Sequence, residues 1–354
     1  MTLSIYILLL FILGSVFPRS KVIGFFIIVF VWILNFNISN PDYIPLQNTY
    51  ETESYGEIGY RFLCKIFNSR GINYFFFKLG IAAVSLLLLY RFIVVYAKYP
   101  AYIAALYMII CPLDVVQNRN FFAFMILINA IPYLGRFSIK NLIKYYFFLL
   151  LACSIHASLV FFFFLPFLQK DVLLHLLKSK GTICALSIIM IPVIYYCLTN
   201  LIDADVQSRS QAYFENPTSL VTKVGVLMLC TFNYLFVKRY QRYAYINRAY
   251  QNIVIEKASF VVYNPCQFVI ALNMLFLLLS PMIMINITFL RLLRFVILIN
   301  IIYMLNIRSY VHKGTFLSVS LYSLTSLLLG LILHRDTFIT DVFLPFFNEN
   351  LLIR

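Results

Sequence analysis

The chain has 354 residues, of which 62% are hydrophobic and 12% charged, and its mean hydropathy is +0.89. Those proportions exclude the soluble globular class and place the chain among polytopic membrane proteins. The formal charge is +15, from 28 Lys and Arg against 13 Asp and Glu. The basic residues fall in short loops at alternating ends of apolar runs, not on one face, which argues against nucleic acid as a partner.

A crossing takes roughly 20 apolar residues. By that measure the sequence predicts spans at about 2–17, 21–38, 73–96, 100–116, 120–135, 142–155, 157–169, 182–200, 219–237, 260–280, 288–307 and 314–333. The fold expected is therefore all-α, with about twelve transmembrane helices and both ends on one side. The first run lacks a basic leader and a small-residue cleavage site, so it is read as a span and not as a secretory signal. Tyr145 to Leu168 is interrupted at Ser154-Ile155-His156, which predicts two half-helices meeting within the membrane around a polar cavity. No repeat, heptad seam or low-complexity linker divides the sequence, so residues 1–354 are read as one transmembrane domain.

Lys and Arg are retained on the cytoplasmic side. Arg19, Lys21, Lys98, Arg136, Lys140, Lys144, Lys170, Lys178, Lys180, the Lys238–Lys257 cluster, Arg308 and Lys313 then mark the inner loops. These contain just two acids, Asp171 and Glu256, leaving eleven of the 13 outside. The chain is thus expected to be a multi-pass protein of the cytoplasmic membrane with its polar loops facing outward. The seven cysteines show no C-x-x-C spacing and read as buried free thiols, with no disulfide framework, no metal site and no cofactor implied.

The longest polar interval is Asn40–Arg70, on the outer side, and the loop 40–72 is expected to form part of an active site. It holds Asp42, Glu51, Glu53 and Glu57 among Tyr43, Tyr50, Tyr55 and Tyr60. Carboxylates can orient or deprotonate a hydroxyl, and aromatic faces stack on sugar rings. Asp42 and Glu57 lie nearest the apolar boundaries and are the better candidates; Glu51 and Glu53 are explained as solvated loop acids. Gln117-Asn118-Arg119 opens a later span, and Arg291 and Arg294 share one helical face at the outer end of another. A guanidinium fork suits a phosphate, although these arginines could equally snorkel to lipid or pair with Asp114, Asp203 or Asp205. His156 beside Ser154 and Ser158 is either a general base or a satisfied core histidine. His175, His312 and His334 read as surface residues. Asp203-Ala204-Asp205 has the form of a D-x-D motif but falls on the outer face, where it reads as loop acids. Walker A, G-x-G-x-x-G, H-E-x-x-H and G-x-S-x-G motifs are all missing, so ATP-driven transport and serine-hydrolase chemistry have no support.

The order of these motifs is Asp42-Tyr43, Tyr50 and Glu57-Ile58-Gly59-Tyr60, then Asn118-Arg119, then Ile155-His156-Ala157-Ser158-Leu159 with its Phe-rich run, then Arg291 and Arg294. Together they resemble the EpsG family of Wzy-like polysaccharide polymerases over most of the chain. Family members frequently carry R-Q after the external turn, where this chain has Arg119-Asn120. The resemblance implies a GT-C-like membrane glycosyltransferase of the Wzx/Wzy pathway for capsule, exopolysaccharide or O-antigen. Such an enzyme joins repeat units carried on undecaprenyl pyrophosphate at the outer leaflet of a bacterial cytoplasmic membrane, without a metal, and a chain-length regulator protein is a candidate partner. On that reading Arg119, Arg291 and Arg294 hold pyrophosphate and His156 and Asp42 act on the acceptor. Glu57 with Arg61 positions the loop, and Tyr50, Tyr60 and Asn118 line the substrate site.

A lipid-linked oligosaccharide flippase or other transporter is the first rival, but it predicts deep intramembrane charges and repeated halves. Another polyprenyl-linked-sugar glycosyltransferase or a membrane acyltransferase is the second. A large GT-C enzyme would by resemblance carry its acidic pair after the first span, whereas here the acidic loop follows the second. A structural subunit without chemistry is the third.

Overall fold

The computed structural model describes residues 2–52, 56–110, 112–135, 138–168, 219–246, 265–285, 292–307, 315–333 and 349–352. Glu53, Tyr55, Arg291, Asp203, Asp205, His175, His312, His334 and the span expected at about 182–200 lie outside the described residues.

Every described residue in regular structure is helical. The chain opens with α1 (Thr2–Val16) and α2 (Lys21–Ile33), and the polar interval carries α3 (Tyr43–Thr52) and α4 (Ile58–Asn68). Next come α5 (Tyr74–Tyr96), α6 (Pro100–Ile110), α7 (Pro112–Val116) and α8 (Asn118–Ala130), the last running into a 3₁₀ turn at Ile131–Gly135. Beyond it lie α9 (Ile139–Ile155), a 3₁₀ helix at Ala157–Phe164 and α10 (Leu165–Leu168). The remaining helices are α11 (Leu220–Ile246), α12 (Pro265–Ile285), α13 (Leu293–Asn306) and α14 (Thr315–Leu333). Starts follow their capping residues: Ser20 accepts from the Ile23 N–H, Asn73 from Phe76 and Ser138 from Asn141.

Two described helices, Tyr74–Tyr96 and Leu220–Arg242, are long and apolar enough to cross a bilayer, and five shorter apolar helices accompany them. Outward faces are hydrocarbon, as at Val16 (61% exposed), Phe147 (63%) and Leu317 (68%). So much contiguous apolar surface suits lipid, not water. The protein is a helical membrane protein. Gly14 and Gly24 let α1 and α2 approach Ala101 of α6 closely, the small-residue packing expected where lipid supplies no hydrophobic drive.

The helix ends sort into two groups. At one end Arg19 lies over the Tyr99 ring, and Asn306 at the close of α13 binds both the Lys98 N–H and the Tyr96 carbonyl. At the other, buried Lys78 donates to the Asn35 and Asn37 carbonyls just past the end of α2. The C-terminal Asn350 and Leu351 return to that same end, binding the Ile33 and Phe36 carbonyls.

The polar interval, expected as a loop, is largely helical. α4 is amphipathic: Tyr60 and Cys64, one turn apart, are buried, while Ile58 and Phe62 are exposed. The span expected at 100–116 comprises α6, to Ile110, and α7, from Pro112, a proline at a first helical position where no N–H is needed; Cys111 lies outside the described residues.

A buried polar network ties the C-terminal helices together. Asn273 of α12 and Asn300 of α13 exchange amide hydrogen bonds at 2.8 and 3.0 Å, Asn300 also donates to the Tyr322 hydroxyl of α14, and that hydroxyl donates to Asn233 of α11. This fixes the helix that begins beside Arg294. Asn300→Ala removes both bonds to Asn273 and the one to Tyr322, leaving the Asn273 Oδ1 unmet, at a cost of about 1–2 kcal/mol. The purified variant should unfold at a lower temperature in detergent than the wild type, and an unchanged temperature would mean that the network does not bind these helices.

Candidate functional site

The site begins at a break in a helix. α9 stops at Ile155 because His156 is extended (φ −152°, ψ 109°), and the chain resumes as a 3₁₀ helix at Ala157. A new helix start leaves N–H groups without partners, and here the Ala157 N–H donates to Glu57 Oε1 at 2.9 Å. Glu57 stands at the N-cap of α4 yet makes no cap bond to its own helix. Its carboxylate is spent across the fold, with Arg119 Nη1 at 3.0 Å from Oε2 and His156 Nδ1 at 3.3 Å from Oε1.

The neighbours of Glu57 explain the E-x-G-Y spacing. A Cβ on Gly59 would lie 2.3 Å from the Ser154 hydroxyl, so only glycine lets α4 lie against α9 here. Tyr60 is buried, and its ring carries the Arg119 guanidinium at 5.3 Å. Gly56 holds φ +112°, a left-handed conformation that turns the chain into Glu57.

A second ion pair adjoins the first. Arg294 Nη1 meets Asp114 Oδ1 at 2.8 Å, and its Nη2 donates to Gln117 Oε1 at 2.6 Å. The Tyr107 hydroxyl donates to the other Asp114 oxygen at 3.0 Å. Gln117 stands two residues before Arg119, so the start of α8 connects the two pairs. Each guanidinium faces a carboxylate, and the cluster is charge-balanced.

Burial alone would raise the Glu57 carboxyl. The His156 hydrogen bond, the Arg119 charge and the Ala157 N–H outweigh it and bring the group down to about 2 from an ordinary value of 4.5. Burial pushes the Tyr60 hydroxyl up. Glu57 is therefore a fixed anion at neutral pH.

Of the residues predicted from sequence, Glu57, Arg119, His156 and Tyr60 meet in one cluster, and Arg294 enters the adjoining pair with Asp114. Asn118 is buried beside them. Others lie elsewhere. Tyr50 is a core residue whose hydroxyl donates to the Ile72 carbonyl at 2.6 Å and whose ring packs on Phe77, so it presents no face to a sugar. The Arg61 side chain is exposed on α4 and touches Glu57 only through the helical bond from its backbone N–H, because Gly59 and Tyr60 occupy the inward face. Asp42 stands at the start of α3, where its charge acts on Tyr74. Glu51 accepts from Gln47 on an exposed turn. Among the described residues no group of three His, Cys, Asp or Glu side chains could hold a metal. Sequence reasoning missed Tyr107, and named Ser154 beside His156 without the close approach of Gly59 to it. It named Asp114 only as a possible partner, although an acid in an apolar run demands one.

The EpsG family model matches residues 19–347. No curated protein and no solved structure matches the chain.

Because its folded-state value is depressed, Glu57 contributes stability that is complete above about pH 4.5 and is lost as the pH falls toward about 2. The stability difference between wild type and Glu57→Gln, measured by thermal unfolding, should be widest above that window and close as it is crossed downward. A difference that stays constant over that range would show that Glu57 is not held as an anion.

Proposed function

Since the chain belongs to the EpsG family of polysaccharide biosynthesis, we propose that it is a membrane glycosyltransferase that polymerises undecaprenyl-pyrophosphate-linked repeat units at the outer leaflet, for capsule, exopolysaccharide or O-antigen. The observation that carries this reading is the meeting of Glu57 from the polar interval with Arg119 and His156 at one helix break. The polar end of the bundle faces outward, as the loop charges require, and the chain crosses the cytoplasmic membrane about twelve times.

In this reaction the acceptor hydroxyl oxygen bonds to the anomeric carbon of the donor sugar while the bond from that carbon to the pyrophosphate breaks. The hydroxyl proton passes to the imidazole of His156. Glu57 directs the Nδ1 proton toward itself, which leaves the lone pair on Nε2 and stabilises the imidazolium that forms. The bonding electrons leave on the lipid pyrophosphate, whose negative charge draws Arg119 and Arg294 away from their carboxylates; Arg291 stands three residues before Arg294 in the sequence. Once turned to the pyrophosphate, the guanidinium forks stabilise the charge that develops on it. No metal is invoked, and neither nucleotide sugar nor ATP is consumed.

Purified protein given a lipid-linked repeat unit alone should yield a ladder of polymer lengths. Arg119→Ala should insert normally and polymerise about 100-fold more slowly, the usual loss for one charge-stabilising donor. A normal ladder from that variant would remove Arg119 from the reaction, and the lack of a wild-type ladder would refute the polymerase assignment.

A further inference from the structure

A hollow opens on the lipid-facing side of α5. Phe76, Gly80 and Val84 recur at every fourth residue and so stand in one row along the helix. The two larger side chains are 62% and 47% exposed, with the glycine between them. Together with Phe67 of α4, Gly71 and Phe77 they line a groove of about 540 Å³. That size lies within the usual range of a ligand site, about 300–1,000 Å³.

Gly80 is the reason the groove exists. Gly14, Gly24 and Gly59 each face a neighbouring helix, with atoms 2.8, 3.4 and 2.3 Å from where a Cβ would stand. A Cβ at Gly80 or Gly71 would meet nothing within 4 Å. Glycine weakens a helix interior, and no close approach of another helix requires it at position 80. What its missing side chain leaves is the hollow itself.

The length and surroundings of the groove limit what fills it. From Asn73 to Val84 it follows α5 for about 16 Å, roughly half of a hydrocarbon core about 30 Å thick. It therefore spans one leaflet. At its polar end the exposed Arg70 directly precedes Gly71 and offers positive charge where a lipid carries its phosphate. Phe77 also packs on Tyr60, with ring centroids 6.0 Å apart, and the Tyr60 ring carries Arg119. Groove and ion pairs thus share an aromatic wall. A polyprenyl chain bears a methyl branch and a double bond in every unit. It is bulkier than a saturated acyl chain, which suits a hollow widened by two bare glycines, and it is stiffer, so less freedom is lost when it is held.

We propose that this groove seats the polyprenyl chain of a lipid-linked repeat unit, with its tail toward the membrane midplane and its phosphate toward Arg70. This rests on the polymerase reading for the sugar that the lipid carries, though not for the lipid itself. Polymerisation brings two lipid-linked units together. A seat beside the ion pairs holds one carrier while the pyrophosphate of the other occupies Arg119 and Arg294.

The test fills the hollow, as Gly80→Leu, and measures lipid binding, polymerisation and unfolding temperature. Native mass spectrometry of the detergent-purified protein, titrated with undecaprenyl phosphate or with phosphatidylglycerol, gives the two affinities. The wild type should prefer undecaprenyl phosphate. Gly80→Leu should weaken that binding about tenfold, the usual penalty for overpacking a filled space, and the KM for the lipid-linked unit should rise about as much. Leucine favours a helix more than glycine does, so the unfolding temperature should stay unchanged or rise. A variant that binds undecaprenyl phosphate like the wild type would overturn the proposal. So would one that unfolds at a lower temperature, since the new side chain would then meet protein and not a hollow. Phosphatidylglycerol that binds as tightly and is displaced as much by Gly80→Leu would show that the groove holds bulk lipid only, and would overturn it too. Binding that depends on position 80 in a protein that makes no ladder would sink the polymerase reading and leave the groove standing. A ladder from a protein whose lipid binding ignores position 80 would do the reverse.

Discussion

One carboxylate joins three stretches of chain that lie far apart in sequence. Glu57 receives Arg119 from α8 and both His156 and the Ala157 N–H from the break after α9. A largely buried anion is costly unless its oxygens are met, and removing one partner from a buried pair leaves the other uncompensated, at about 3–5 kcal/mol. The same constraint accounts for what surrounds it. Gly56 turns the chain into Glu57, Gly59 admits the close contact with Ser154, and Tyr60 offers its ring to the arginine. The helix break itself is tolerable because Glu57 satisfies the first N–H beyond it.

The second pair repeats the logic at the start of α8. Asp114 and Arg294 neutralise each other, Gln117 completes the arginine fork, and Tyr107 completes the carboxylate. Arg294 owes its position to α13, which the Asn273–Asn300–Tyr322–Asn233 network locks among three other helices. The charges are thus balanced in the resting protein, while the neutral amides of Asn118 and Asn120 remain unmet.

The helical segments were largely legible because hydropathy reports directly on the hydrocarbon a chain must match. The break at His156 was legible for the same reason, since Ser154 and His156 interrupt an apolar run too short to cross twice. α3 and α4 were not, because a polar interval reads as a loop unless its buried faces are known. Tyr60 and Cys64, one turn apart, were the available signal. Within the site, residue type located Glu57, Arg119 and His156 but not their pairing with one another. Tyr50 and Arg61 have the chemistry of sugar and phosphate ligands, yet one satisfies a backbone carbonyl in the core and the other faces outward. Only the packing of α4 on α9 decides which side of that helix looks inward, and Gly59, the residue that decides it, carries no chemistry of its own.

The contact between α4 and α9 is therefore the point at which the account stands or falls. That contact brings Glu57 to 3.0 Å from Arg119, and a thermodynamic cycle over Glu57→Gln, Arg119→Gln and the double variant, read by thermal unfolding in detergent, measures whether it holds. The account predicts that the two losses do not add, the double variant being little less stable than either single one. Losses that add to within about 0.5 kcal/mol would mean that the two side chains act independently, and that α4 does not carry Glu57 to the helix break.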